Sequence, residues 1–438
     1  MIPESGERII SEDYADLIIE YNGDESVFEQ FPDSTVQIIN VQYAFVHVPV
    51  SFITQDIIYR LGYSVMPTCF GTISESRLEA SGVNQLRNIP IFNLRGRGVL
   101  IGIIDTGVDY TNPVFQYADN TTRIISIWDQ TIVSDNPPEG MVYGTEYTNE
   151  QINEALQSDD PLSIVPSTDD VGHGTMVAGI AGGNDAPDSD FFGVAPDVEF
   201  VVVKLKQAKQ YLRDFFYIPR DAVCFQETDI FRGVEYLYEK AISLNRPMII
   251  CIAVGSSQGA HDGMGTLSTY LSGIAGLPGM GVIVAAGNEG NGRRHYSGII
   301  NTVTGYDTVE LNVGENEAGF TMELWGSSPD IYSIDILSPS GEYIPRISAG
   351  RDEHRVITFI FEATIIYVDY QMVESQSGEQ LILVRFENPS VGIWRFNVYE
   401  RDGLNRGFNI WLPMEKFISE NTYFIRSSAY TTILTLGN

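Results

Sequence analysis

Gly98-Val99-Leu100-Ile101-Gly102-Ile103-Ile104-Asp105-Thr106-Gly107 is the stretch that decides the fold. An apolar run closed by an acid and a glycine turn predicts a strand buried on both faces, with a carboxylate at its C-terminal end. Phe200–Leu205, Met248–Val254 and Gly281–Ala286 repeat the pattern. Helical patterns lie between these runs, at His173–Ala181, Thr228–Ser243 and Thr266–Gly276. The alternation predicts a parallel sheet with helices on both faces, joined by right-handed crossovers. Open α/β sheets place their sites at the C-terminal ends of such strands, where Asp105 stands.

Working outward, the texture changes twice. Residues 1–75 predict a small α+β unit: strands at Ala15–Tyr21, Thr35–Asn40, Tyr43–Pro49 and Tyr63–Phe70, and a helix at Ile53–Leu61. Residues 76–297 hold the α/β pattern. From 298 to 430, period-2 segments separated by turns predict about eight short strands, a β-sandwich of jelly-roll type. They are Thr308–Asn312, Gly319–Trp325, Tyr332–Leu337, Val356–Phe361, Thr364–Tyr370, Gln380–Phe386, Gly392–Val398 and Gly407–Leu412. Thr431–Leu436 predicts one more strand, and 431–438 reads as the start of a return to the α/β core.

The 438 residues are 43% hydrophobic and 19% charged, which excludes a disordered chain or a long coiled coil. Lys+Arg 26 against Asp+Glu 58 gives a net charge of −32. Such a field repels phosphate backbones and anionic lipid, so neither nucleic acid nor a membrane is an expected partner. The apolar runs are strand-sized, short of the roughly 18 residues a membrane helix needs. Met1–Asp13 carries four acids and does not read as a signal peptide, so cytoplasmic synthesis is the default and localisation stays open. Cys69, Cys224 and Cys251 are widely spaced and suggest neither a disulfide framework nor a zinc site.

Asp105 in Asp-Thr-Gly admits three readings. A turn cap is the plainest. An aspartic protease needs a second Asp-Thr/Ser-Gly, and the chain has none. The third is the orienting carboxylate of a catalytic triad, which needs a histidine. His173, in Gly172-His173-Gly174-Thr175, supplies one. A carboxylate on one imidazole nitrogen leaves the other free as a general base. Asn288, in Ala285-Ala286-Gly287-Asn288, follows another buried strand, where its amide is either a turn cap or an oxyanion donor. Ala253-Val254-Gly255 ends the neighbouring strand, whose edge could pair with an extended peptide.

The ordered set Asp-Thr-Gly, Gly-His-Gly-Thr, Ala-Val-Gly and Ala-Ala-Gly-Asn resembles the subtilisin-like serine proteases, the peptidase S8 family, over about residues 76–297. Ile127-Trp128-Asp129-Gln130, Tyr143–Tyr147, Pro166–Asp170 and Gly259–Gly263 are similar to the clostridial spore-germination protease type, with its prodomain and jelly-roll insertion. The resemblance implies a serine endopeptidase acting on peptide or protein substrates without a cofactor. It gives Asp105 the orienting role, His173 the general base, Asn288 the oxyanion donor, and Ala253, Val254, Gly255, Ala285, Ala286 and Gly287 the walls of the primary pocket. It makes the first zone a prodomain seated in the cleft, with cleavage between about Phe70 and Glu75.

The family's nucleophile lies last, in Gly-Thr-Ser-x-Ala-x-Pro, and no Gly-Thr-Ser occurs here. Gly265-Thr266-Leu267-Ser268 precedes Asn288 and reads as a helix start. The expectation is a chain lacking the serine segment and so inactive; the alternative is a pseudoprotease acting as regulator or scaffold. His261 is expected in a turn, His295 in a solvated surface cluster with Arg293 and Arg294, and His47 and His354 as structural or exposed. Trp325, Trp394 and Trp411 are expected in the sandwich core, a sugar-binding face being the alternative. No Asp-x-Asp-x-Asp-Gly spacing supports a Ca²⁺ loop.

Overall fold

The computed structural model describes residues 4–73, 94–184, 192–347, 353–401, 403–404, 406–428 and 434–435. The first zone holds α1 (Glu4–Ile10), β1 (Tyr14–Glu20), β2 (Thr35–Ile38), β3 (Tyr43–Pro49), α2 (Ile57–Leu61) and β4 (Cys69–Thr72). β1, β3 and β2 form an antiparallel sheet in that order. The strand expected at Tyr63–Phe70 is instead a 3-10 turn at Tyr63–Val65 followed by β4. The helix expected from Ile53 begins only at Ile57, after Asp56.

The second zone contains β5 (Leu100–Asp105), β6 (Ile124–Asp129), β7 (Thr145–Thr148), α3 (Asn149–Leu156), α4 (His173–Gly182), β8 (Glu199–Lys204), α5 (Gln210–Phe216) and β9 (Phe225–Gln226). It continues with α6 (Glu227–Ser243), β10 (Met248–Ile252), β11 (Val254–Gly255), α7 (Thr266–Ala275) and β12 (Met280–Val284). Its six-stranded sheet has the order β12-β10-β5-β8-β6-β7. Every pairing is parallel except that of β7 with β6. β5 sits near the middle and all six of its residues are buried, as a run of Leu and Ile with one glycine requires. Gly102 is that glycine because a Cβ there would run into Leu237 of α6.

The third zone is a β-sandwich. One sheet has the order β13-β22-β15-β20-β19-β18 and the other β17-β16-β21-β14-β23. The strands are β13 (His295–Gly298), β14 (Tyr306–Val313), β15 (Gly319–Gly326), β16 (Tyr332–Leu337), β17 (Tyr343–Ile347), β18 (Glu353–Thr358), β19 (Ile365–Gln371), β20 (Gln380–Glu387), β21 (Gly392–Glu400), β22 (Phe408–Trp411) and β23 (Tyr423–Phe424). The fold is thus α/β with an inserted β-sandwich. Trp325, Trp394 and Trp411 are 2%, 0% and 6% exposed, so none offers a sugar platform, but only Trp394 lies in the sandwich's own core; Trp325 and Trp411 are buried in the cluster that joins it to the first zone. The strand expected at 431–436 lies outside the described residues, except for Leu434 and Thr435.

The three zones share cores. β4 forms a three-stranded sheet between β11 and β9, all antiparallel. Phe70 of β4 is buried with Phe225, Ile252 and Leu267 of the second zone, worth about 2 kcal/mol for one such side chain. Asp16 of β1 accepts from Lys209 Nζ at 2.9 Å and Gln226 Nε2 at 2.6 Å. Arg385 of β20 donates to the Gln55 side-chain oxygen at 2.6 Å.

Candidate active site

The site forms where β5 ends and α4 begins. Asp105 is fully buried at the last position of β5. Its Oδ1 accepts from Thr106 N–H at 2.7 Å and faces His173 Nδ1 at 2.7 Å. His173 is the first residue of α4. Gly172 precedes it at φ +80°, a left-handed conformation that glycine takes without strain, and this turns the chain so that the ring enters the cleft. Gly174 is needed for the close approach: a Cβ there would collide with the Gly107 carbonyl oxygen.

Asp169 ties the two loops together. Its Oδ1 accepts from Thr106 Oγ1 at 2.7 Å and Gly172 N–H at 2.9 Å. Its Oδ2 accepts from Thr175 N–H at 2.8 Å and Thr175 Oγ1 at 2.7 Å. Thr106 Oγ1 in turn accepts from Gly174 N–H at 2.9 Å. The carboxylate therefore caps the first turn of α4 and sets the loop after β5 against it. Sequence reasoning placed Asp169 only in a motif and gave it no role. Its position four residues before His173, at a helix start, is the signal that could have found it.

His173 Nε2 lies 2.7 Å from the Ile73 carbonyl oxygen. β4 delivers that carbonyl, with Thr72 opposite Val254, Gly71 opposite Gly255, and Ile73 N–H donating to the Ala253 oxygen at 3.3 Å. An imidazole that donates at both nitrogens is an imidazolium. Burial lowers the His173 pKa, but the Asp105 carboxylate and the Ile73 carbonyl outweigh it, and the net shift is upward.

The expected pocket walls continue from the ends of β10 and β12, which pair in parallel. Ala253 links β10 to β11, which holds Val254 and Gly255, while Ala285, Ala286 and Gly287 follow β12. Leu434 stands between the walls: a Cβ added to Gly255 or to Gly287 would meet its side chain at 2.5 Å. The Ile73 side chain shares that space, reaching the same 2.5 Å from a Gly255 Cβ. Leu434 N–H donates to the Ala286 oxygen at 3.0 Å. Asn288 is exposed at the start of a 3-10 turn, on the same end of the sheet as Asp105. The structure brings Asp105, His173 and Ile73 into one hydrogen-bonded line; Asn288 lies at the end of β12, beyond that line.

Ser268 lies in α7, as the helix-start reading expects, and its Oγ donates to the Thr435 oxygen at 3.4 Å. His295 departs from expectation. It is 1% exposed, because β13 pairs with β22 and sets it opposite Trp411. Trp411 stacks between His295 and His261, at 4.9 and 4.0 Å between ring centroids. His261 has φ +54°, in keeping with a turn. His47 is buried against Asp16 and His354 packs on Asp369, each at 2.7 Å.

Residues 96–313 match the Subtilase family of peptidases, Peptidase_S8. The structure is similar to that of the Clostridium perfringens CspB protease, with 30% identity and a TM-score of 0.69, covering 81% of this chain and 69% of that one. A subtilisin of Bacillus sp. (strain TA39) is 27% identical over 195 residues, 44% of this chain and 35% of the relative. A PII-type proteinase of Lacticaseibacillus paracasei is 30% identical over 117 residues, 26% of this chain. The chain spans 35% and 6% of the lengths of these two curated relatives. With the ordered motifs, the parallel sheet and this likeness to a clostridial protease together, the chain belongs to the subtilase family.

Proposed function

We propose that this protein is a serine endopeptidase working through a Ser–His–Asp triad, and that the 438 residues carry its aspartate and histidine without the serine segment. The observation that carries the reading is the line from Asp105 through His173 to a peptide carbonyl. Asp105 holds the Nδ1–H tautomer of His173 and stabilises the imidazolium. His173 Nε2 takes the proton of a serine hydroxyl as that oxygen attacks a peptide carbonyl, then returns it to the leaving amine. Asn288 donates its amide to the oxyanion, an interaction worth roughly 3 kcal/mol in such sites. Ala253–Gly255 and Ala285–Gly287 receive the apolar side chain before the scissile bond.

In the same reading, residues 1–73 act as a prodomain and β4 is a substrate-like strand. It adds antiparallel to β11, as an extended peptide adds to a sheet edge. Among the described residues, no serine hydroxyl bonds to His173; its Nε2 faces the Ile73 carbonyl instead. In this reading the 438-residue chain is expected to be inactive.

A fluorophosphonate probe tests this. The 438-residue chain is expected to stay unlabelled, and a longer product carrying a Gly-Thr-Ser segment is expected to label at that serine and lose labelling on His173→Ala. Stoichiometric labelling of the 438-residue chain at one of its own serines would overturn it. A full-length product without a reactive serine would leave the pseudoprotease reading in its place.

A further inference from the structure

The spacing of the three cysteines suggests no disulfide, yet the fold brings two of them to one place. Cys69 opens β4 and Cys224 immediately precedes β9. These strands run antiparallel, with Cys69 opposite Gln226 and Phe70 opposite Phe225. Side chains alternate along a strand, so Cys224, two residues before Gln226, shares the face of Cys69 as its diagonal neighbour. Both thiols are free, and both are 0% exposed in one apolar cluster. Burial, and then the adjacent Cys224 thiol, push the Cys69 thiol well above its ordinary range. Cys251 lies apart, on β10 of the six-stranded sheet.

We propose that Cys69 and Cys224 are a redox modification site whose disulfide staples the cleft-occupying strand to the protease core. The consequence for the cleft rests on the reading of residues 1–73 as its occupant. The oxidant is a low-molecular-weight disulfide, RSSR. One cysteine, as thiolate, attacks it, forming a mixed disulfide and releasing RSH. The second cysteine displaces the remaining RS group and closes the protein disulfide. Two protein thiols and one RSSR give one protein disulfide and two RSH; the protein loses two electrons and two protons, and the reagent gains them. In the closed state both thiols are buried away from reagent and inert. Reaction therefore begins when β4 opens, and reclosure presents Cys224 to the mixed disulfide on Cys69. Once the chain is cut after Ile73, β4 is held only by non-covalent contacts. The staple then makes release of residues 1–73 conditional on a reductant.

The test uses the 438-residue chain with oxidised glutathione at about pH 8, with and without sub-denaturing urea to open β4, then alkylation in denaturant and peptide mapping. A Cys69–Cys224 cross-linked peptide is expected, with only Cys251 left to alkylate. Amide exchange over residues 69–73 is expected to slow roughly tenfold relative to the reduced chain. Cys224→Ser is expected to stop at a mixed disulfide on Cys69. Glutathione on both cysteines without a cross-link, a cross-link to Cys251, no reaction in urea, or a cross-link that leaves exchange unchanged would each overturn the proposal. The N-terminus of the active full-length product reports separately on the cleft reading. A cross-link in a protein cut elsewhere sinks that reading alone; a cut after Ile73 with no cross-link sinks the staple alone.

Discussion

The carbonyl oxygen of Ile73 lies 2.7 Å from Nε2 of His173, on the opposite side of the ring from Asp105. A residue remote in sequence thus places its own peptide carbonyl on the free nitrogen of the histidine. In the proposed reading of β4 as a substrate-like strand, the bond following Ile73 is the expected cleavage site. In the active full-length enzyme, the mature chain is expected to begin at Ser74, read by N-terminal sequencing. Ile73→Asp puts a charge against Gly255 and Leu434 and is expected to slow that cleavage roughly a hundredfold. An unchanged rate and start site would count against the alignment.

The same contact has a pH signature. The folded His173 pKa is raised, so its stabilising contribution is full below the unfolded value of about 6.5 and fades as pH rises through the folded value. Asp105→Asn removes the main upward influence and leaves burial, which lowers the pKa, against the smaller upward pull of the Ile73 carbonyl and Asp169. An NMR titration of the ring is expected to show the wild type above its ordinary value and the variant shifted down from the wild type. The stability gap between them is expected to be widest at low pH and to narrow as pH rises.

Asp169 accepts four hydrogen bonds that hold the Asp105 loop and the His173 helix in register. Asp169→Ala is expected to cost about 2–3 kcal/mol in chemical denaturation. In the full-length enzyme it should lower kcat more than it raises KM, because the ring loses its orientation without losing the pocket. Asp169→Asn keeps one acceptor oxygen and is expected to cost about half as much.

Glu323 of β15 joins the three zones. It accepts from Tyr63 Oη at 2.8 Å, Gly259 N–H at 2.9 Å and Trp325 Nε1 at 3.1 Å. Burial pushes its pKa up to about 7 despite those donors. An acid raised on folding favours the folded state below its unfolded pKa of about 4.5, and that contribution disappears as pH rises to 7. Relative to Glu323→Gln, the wild type is expected to lose on the order of 3 kcal/mol between pH 4.5 and 7.5, measured by denaturant melts. A constant difference across that range would show that the carboxyl does not titrate on folding.

Some elements were legible because their own residues are sufficient. The apolar run ending in Asp105 reads as a strand covered on both faces, and the alternation over 306–400 reads as a sandwich; that β15 and β20 are buried on their second face too was not legible, because the other zones cover it. Helices α4, α6 and α7 begin and end within two residues of expectation for the same reason. Other elements take their form from partners. Cys69–Thr72 has too short a pattern to define a strand alone; β9 and β11 define it by pairing on both sides. His295 looked solvated beside two arginines, yet β13 turns it inward onto Trp411.

The sequence by itself determined the chemistry available: an acid at a strand end, a histidine at a helix start, glycines where the backbone must come close, and three cysteines at spacings that say nothing. Local periodicity and residue type suffice for that, because the spacing of apolar and polar side chains along a strand or helix is set by neighbours in the chain. Only the tertiary structure decided what meets what. It put a carbonyl from residue 73 on the histidine, set Asp169 between two loops, buried Glu323 where three zones join, and laid Cys69 diagonal to Cys224. These contacts join segments far apart in the chain, and their geometry follows from strand register and packing, which no local pattern encodes.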